Sequence, residues 1–323
     1  MSGGGSVSDG AAPLTLGFVG LGKMGHNMVH RLRRDGQFTI VAFDPFQQAR
    51  DAVLPYGAQT AATLPEMVAA IPPPRGVWLM VPSGTITQES VDQLLTMLQP
   101  GDTIIDGGNS NYHDSMNRYA QAKQKGISFI DCGVSGGVWG LEVGFCLMAG
   151  GDTDAVERYR PIFETLAPPD GFLHAGPSGA GHFVKMVHNG IEYGMLQAYA
   201  EGFAILEAKK DFGTLDLHGI AHLWDQGSVV RSWLLELLER AFAQDPHLDQ
   251  LRGWVEDSGE GRWTVEESMN LDVPTPVLAI SLMMRYQSRL PDGFGNKVIA
   301  ALRNQFGGHA VQPEQQAQPS TPH

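Results

Sequence analysis

Cysteine is almost absent: Cys132 and Cys146 are the only two among 323 residues. Two thiols support no disulfide framework, and they suit a reducing compartment. Basic residues are also scarce, 22 Lys and Arg against 35 Asp and Glu, which gives a formal net charge of −13. That balance argues against a nucleic-acid or anionic-membrane partner. It also means that an anionic ligand must be held by a local cluster of cations against an unfavourable overall field. No apolar run approaches the roughly 18 residues of a transmembrane span. No ligand cluster with zinc-type spacing is visible, so no metal is expected. Met1 to Pro13 is Gly/Ser-rich and lacks the basic start of a signal peptide; it reads as a disordered tail, as does the Gln/Pro-rich stretch Ala310 to His323. The expected location is the cytoplasm.

What is present is enough for two domains and a substantial core. Leu14 to Val19 reads as a strand, followed by Gly20-Leu21-Gly22-Lys23-Met24-Gly25 and a helical pattern from His26 to Arg34. Glycines at this spacing between a strand and a helix let backbone N–H groups approach a pyrophosphate. A second strand, Phe38 to Phe43, ends in Asp44. An acid about 20 positions beyond the glycines accepts hydrogen bonds from the ribose hydroxyls of NAD and repels the extra phosphate of NADP. Pro45 and Phe46 follow, with no arginine where a phosphate-binding residue would lie. The expected cofactor is therefore NAD rather than NADP.

Strand-like and helical runs then alternate. Gly76 to Val81 leads into Pro82-Ser83-Gly84, Thr103 to Asp106 into Gly107-Gly108-Asn109-Ser110, and Ser128 to Asp131 into Cys132-Gly133-Val134-Ser135-Gly136-Gly137. Helical segments lie near Thr85 to Leu98 and Tyr112 to Lys125. This is the rhythm of a doubly wound parallel sheet, whose ligands bind outside the carboxyl ends of the strands. Val81, Pro82, Ser83 and Asn109 are accordingly expected beside the cofactor.

Gly176 to Gly181 breaks the chain after Phe172 to Ala175, and helical patterns dominate from there: Ala180 to Asp211, Asp216 to Gln226, Ser232 to Gln244, Val265 to Leu271 and Thr275 to Arg289. The expected architecture is α/β, a Rossmann-like doubly wound domain over 14–178 followed by an all-α domain over 179–309, with tails at 1–13 and 310–323. On a helix at about 100° per residue, Lys185, His188, Asn189, Glu192 and Tyr193 fall within an arc of roughly 140°. The rest of the turn is mostly apolar or small. A stripe holding a base, an acid, an imidazole, an amide and a phenol is unusual for a face that merely meets water. It would leave the domain boundary beside the nicotinamide.

With these residues in view, the chain resembles 6-phosphogluconate dehydrogenase, within the β-hydroxyacid dehydrogenase superfamily. The motifs are G-L-G-x-M-G at 20–25, D-G-G-N-S at 106–110, G-V-S-G-G at 133–137 and G-A-G-H-x-V-K-M-V-H-N-G-I-E-Y at 179–193. Length and Asp44 look like a short, single-repeat branch. The resemblance implies oxidative decarboxylation of 6-phosphogluconate to ribulose 5-phosphate and CO2. Under it, Lys185 matches the general base at the C3 hydroxyl, and Glu192 the acid that protonates C1 of the enediol. Such a lysine must act as the neutral amine. Asn109, Ser135, Gly136, Gly137, His188 and Asn189 match positions that hold the substrate carboxylate and hydroxyls, while Tyr193 and Arg285 match phosphate contacts. Arg303 and His309 fall in a tail element that reaches a neighbouring subunit's site, which implies at least a homodimer, or a homotetramer.

One departure from the family pattern stands out. In the loop Asp257 to Trp263, Ser258 occupies the place of a phosphate-binding lysine, with Glu260 nearby; Ser258 retains a hydrogen-bonding capacity without the charge. The competing readings are a dehydrogenase for a small unphosphorylated 3-hydroxy acid, an imine reductase, and a catalytically silent NAD-binding regulator. Arg285, Arg303 and Tyr193 speak against the first, Lys185 against the second, and the full set of proton-transfer residues against the third.

Overall fold

The computed structural model describes residues 14–36, 38–290 and 293–307. Its compact units part between Gly190 and Ile191, inside one long helix. In the first unit the elements follow one another as β1 (Thr15–Val19), α1 (Lys23–Asp35), β2 (Thr39–Phe43), α2 (Gln47–Val53), β3 (Gln59–Thr60), α3 (Leu64–Ala70), β4 (Gly76–Leu79), α4 (Thr85–Met97), β5 (Thr103–Asp106), α5 (Tyr112–Gln124), β6 (Ser128–Ser135), α6 (Gly140–Val143), β7 (Cys146–Gly150), α7 (Thr153–Leu166) and β8 (Phe172–Gly176). Helix α8 (Ala180–Ala208) follows.

The strands form one sheet in the order β3-β2-β1-β4-β5-β6-β7-β8. All neighbours are parallel except β6 and β7. Successive side chains of a strand point to opposite faces, and here both faces are buried. Leu16, Phe18, Ile40, Ala42, Trp78, Ile105 and Ile130 join α1 and α7 in one core. Val19, Val41, Val77, Leu79, Ile104 and Phe129 join α3, α4 and α5 in the other. This two-sided burial is why the strands read as continuous apolar runs. Trp78 is the largest fully buried side chain, stacked on Phe18 and tilted against Phe163. Its truncation to alanine would cost about 3–5 kcal/mol.

The second unit holds the remainder of α8 with α9 (Leu217–Asp225), α10 (Trp233–Gln244), α11 (Glu260–Asn270), α12 (Pro276–Ser288) and α13 (Phe294–Gly307). Asp216 caps α9 through the Gly219 N–H, and Ser232 caps α10 through that of Leu235. Phe203 of α8, Leu217 and Ala221 of α9, and Leu235 and Phe242 of α10 make its core.

Several elements differ from the sequence expectation. Strand β6 runs on to Ser135, because β7 pairs with it in antiparallel register, Gly133 with Met148 and Ser135 with Cys146. Sheet pairing thus overrides the turn character of the glycines. The strand β7 and the helices α2, α3 and α7 are not distinguished in the sequence reading. Helix α11 starts at Glu260, before Val265, so the last four residues of the expected loop at 257–263 are its first turn. Arg303 lies on α13, and His309 lies outside the described residues.

Candidate active site

The glycine loop is tied to the end of β2. The Gly20 N–H donates to the Phe43 carbonyl at 2.9 Å, and the Leu21 N–H donates to Asp44 Oδ2 at 2.8 Å. Asp44 Oδ1 accepts from the Phe46 N–H at 2.9 Å. Asp44 is only 8% exposed, yet each carboxylate oxygen has a second lone pair for a further donor. Gly20 has φ +92°, and a Cβ there would strike the Met80 carbonyl. Helix α1 begins after Gly22 with no side chain capping it, and nothing lies within 4 Å of a Cβ placed on Gly22. Uncapped N–H groups at a helix start, beside a backbone that only glycine permits, fit the pyrophosphate of a dinucleotide. A depression lined by Pro45, Phe46, Gln47, Gln48, Ala49 and Ala52 adjoins Asp44. A cation that the sequence reading passed over is present here. Arg50 on α2 donates from Nη1 to the Asp44 carbonyl at 2.7 Å and to the Pro45 carbonyl at 3.2 Å.

The loops after β4 and β5 are held by a buried ion pair. Arg118 and Asp106 are 1% and 0% exposed, with Nη1 to Oδ2 at 3.1 Å. Arg118 also donates to Ser110 Oγ at 3.0 Å, to Gln88 Oε1 at 3.0 Å and to the Gly84 carbonyl at 3.3 Å. One guanidinium from α5 therefore braces both the Val81-Pro82-Ser83-Gly84 loop and the D-G-G-N-S loop. Neither Arg118 nor this role of Asp106 is visible in the motifs, since the partners lie on three separate elements.

The expected base and three of the expected substrate residues meet in the first unit. Lys185 is 4% exposed, and its Nζ donates to Asn189 Oδ1. The same oxygen accepts from His188 Nδ1 at 2.9 Å. With Nδ1 protonated, the neutral ring presents Nε2 as an acceptor, and Ser135 Oγ lies 3.4 Å from it. A continuous polar chain thus links the G-V-S-G-G segment to the lysine. Gly136 and Gly137 continue from Ser135 with φ +128° and +55°. Lys185 sits directly over the sheet: a Cβ at Gly133 would strike Lys185 Cβ. Asn109 joins the group differently, with its amide bonded at both ends to the backbone of Val134.

The second unit brings together three expected phosphate residues. Tyr193 is 4% exposed, and the Arg285 guanidinium lies 3.4 Å from its ring centroid. The Ser258 N–H donates to Tyr193 Oη at 3.3 Å, and Arg285 Nη1 donates to the Glu256 carbonyl at 3.0 Å. Gly261 allows this packing, since a Cβ there would meet the Tyr193 ring. Glu260 is buried in the first turn of α11, Glu192 is half-buried, and Arg303 is exposed. Among the described residues no group of three or more His, Cys, Asp or Glu is arranged to hold a metal.

A dinucleotide cradle on a doubly wound sheet, followed by a helix carrying a buried lysine in a polar chain, defines an NAD(P)-binding oxidoreductase. Residues 15–176 match the model for the NAD binding domain of 6-phosphogluconate dehydrogenase, and residues 181–318 match that for its C-terminal domain. The chain belongs to the 6-phosphogluconate dehydrogenase family. It is 47% identical over 300 residues to a Bacillus subtilis protein provisionally named 6-phosphogluconate dehydrogenase YqeC, covering 93% of this chain and 99% of that one. It is 41% identical over 301 residues to the NAD(+)-dependent decarboxylating 6-phosphogluconate dehydrogenase of Haloferax volcanii, covering 92% and 98%. The solved Plasmodium falciparum 6-phosphogluconate dehydrogenase superposes with a TM-score of 0.79 at 26% identity, covering 94% of this chain and 67% of that one. No helix among the described residues is long and apolar enough to cross a membrane.

Proposed function

We propose that the protein oxidatively decarboxylates 6-phosphogluconate to ribulose 5-phosphate and CO2 with NAD, as a cytoplasmic enzyme. The observation that carries this reading is the buried Lys185 amine, held by Asn189 within reach of the Ser135–His188 pair. Bound NAD supplies the hydride acceptor. Lys185, as the neutral amine, takes the proton of the C3 hydroxyl as the C3 hydride leaves. The lysine ammonium then polarises the new 3-keto group, which accepts the electron pair released when the C1 carboxylate departs as CO2. Glu192 gives its proton to C1 of the resulting enediol while the C2 hydroxyl gives its proton to Lys185, which yields ribulose 5-phosphate. Ser135, Gly136, Gly137, His188 and Asn189 orient the carboxylate end. Tyr193, Ser258 and Arg285 receive the phosphate.

NAD rather than NADP is supported by Asp44 and by the name of the Haloferax volcanii relative. In the proposed domain roles, 14–178 binds cofactor while 179–309 binds substrate and pairs subunits. Arg303 and His309 complete a neighbour's site in a homodimer or homotetramer. A Lys185→Ala variant tests the base: turnover should fall by about 10²-fold or more while NADH still binds. Turnover at the wild-type rate would remove Lys185 from the mechanism. Deleting residues 303–323 should raise the substrate KM and cripple kcat with NAD affinity intact; normal kinetics would refute the shared site.

A further inference from the structure

Asp131 is a carboxylate with no solvent exposure, and no ion pair among the described residues involves it. A buried charge persists only where donors or a dipole compensate it. Both come from the start of α8, from Gly179 just before it and His182 in its first turn. Asp131 Oδ1 accepts from the Gly179 N–H at 2.6 Å and Oδ2 from the His182 N–H at 2.9 Å, at the positive end of the helix dipole. A serine stands just before this helix start, where a local cap is usual, but Ser178 Oγ is buried without a partner among the described residues. The capping oxygens come instead from the middle of β6.

The same turn is fixed on two other sides. A Cβ at Gly150 would come within 2.8 Å of both Asp131 oxygens, and one at Gly181 would strike the Met148 and Asp131 carbonyls. The helix therefore lies directly on the backbone of β6 and β7. His182 is buried, and its Nδ1 lies 2.7 Å from Ser115 Oγ on α5. Ser115 Oγ also donates to the Asn111 carbonyl at 3.3 Å, and His182 Nε2 is buried with no hydrogen-bond partner among the described residues. Lys185 is three residues beyond His182, on the same face of the helix.

We infer that Asp131 is a positioning residue for the reaction, acting through the first turn of α8 to set the height and rotation of Lys185 against the G-V-S-G-G strand. The inference rests on Lys185 being the base. Its physical ground is that a displacement of about 1 Å at a reacting group can cost 10²-fold in rate. The sequence gives no hint of it, because an isolated acid within a strand forms no motif with amides 48 and 51 positions later.

The test is Asp131→Asn, which keeps the shape but turns an amide N–H toward one of the two backbone donors. With 6-phosphogluconate and NAD, kcat should fall at least tenfold while the KM for substrate and the Kd for NADH stay within twofold. A kcat within twofold of wild type would overturn the proposal. So would loss of NADH affinity in step with kcat, because it would indicate a general structural role. Ser115→Ala is the second variant should Asp131→Asn not fold; it frees the His182 ring without touching the carboxylate and should lower kcat about threefold, with no change in kcat contradicting the clamp. Amide hydrogen exchange over 179–188 tests the clamp without any substrate. It should speed at least tenfold at His182 in Asp131→Asn, and unchanged exchange would overturn the proposal. If the wild-type protein fails to oxidise 6-phosphogluconate, the functional reading falls while the exchange arm still decides the clamp.

Discussion

Asn109 and Val134 exchange two hydrogen bonds: the side-chain amide donates to the Val134 carbonyl at 3.0 Å, and its oxygen accepts from the Val134 N–H at 2.8 Å. The asparagine imitates one more residue of a strand, and by doing so it ties the loop after β5 to the end of β6. It adopts φ +52° to do this, a conformation that asparagine tolerates better than most residues. Asn109→Asp should therefore be worse than its size suggests. One carboxylate oxygen would still accept from Val134, while the other would face the carbonyl. A loss of about 1–3 kcal/mol in urea unfolding is expected, with turnover reduced more than NADH affinity. Stability within experimental scatter of wild type would show that the two bonds do not persist in solution.

Arg118→Met should be among the most destabilising single changes in the first unit. It leaves Asp106 charged and buried, a situation that costs about 3–5 kcal/mol. It also releases the Gly84 carbonyl and Gln88 from their shared donor. Replacing both partners, as Asp106→Asn with Arg118→Met, should recover part of the loss. Denaturant unfolding of the single and double variants measures this directly, and a double variant less stable than Arg118→Met would contradict the ion-pair account.

Asp44→Ser tests the cofactor site. Serine is too short to accept from both Leu21 and Phe46, so the glycine loop loses one of its two ties to the end of β2 as well as the carboxylate. NAD affinity should fall about tenfold or more, as expected for losing charge-assisted bonds. The preference for NAD over NADP should shrink, helped by the nearby Arg50 guanidinium. Unchanged selectivity would refute the ribose role of Asp44.

The thiols should be slow to react. Burial pushes the Cys132 thiol well above its ordinary range, aided by the Asp131 carboxylate. Burial also raises that of Cys146. A raised thiol pKa lowers the thiolate fraction at neutral pH, and the thiolate is the reactive form. Iodoacetamide should label Cys146 slowly near pH 7 and faster as the pH rises, with Cys132 labelled only on unfolding. Rapid labelling of Cys132 in the folded protein would contradict the packing of β6.

The parts of the site that were legible in the sequence are those built from consecutive residues. The glycine fingerprint, Asp44 and the stripe from Lys185 to Tyr193 depend on local spacing, and the structure places them on the turn, strand end and helix that the spacing implies. Tyr193, Ser258 and Arg285 could be named from family motifs and meet in the second unit. Residues whose role depends on distant partners were not readable. Asp131, Arg118 and His182 each look like ordinary polar positions until the fold brings their partners to them. The same applies to β7, a short stretch whose strand character comes from pairing with β6 rather than from its own pattern. Helix α11 begins early because Gly259 takes a left-handed conformation and starts the turn at Glu260, which the loop-like composition of 257–261 conceals.

The reaction itself can be followed by the absorbance of reduced nicotinamide. Purified protein is mixed with 6-phosphogluconate and NAD, with NADP in a parallel cuvette and CO2 followed in both. Rapid reduction of NAD, slower or no reduction of NADP, and one CO2 released per nicotinamide reduced are expected. Reduction of neither cofactor with 6-phosphogluconate, together with activity on an unphosphorylated 3-hydroxy acid, would contradict the proposed reaction.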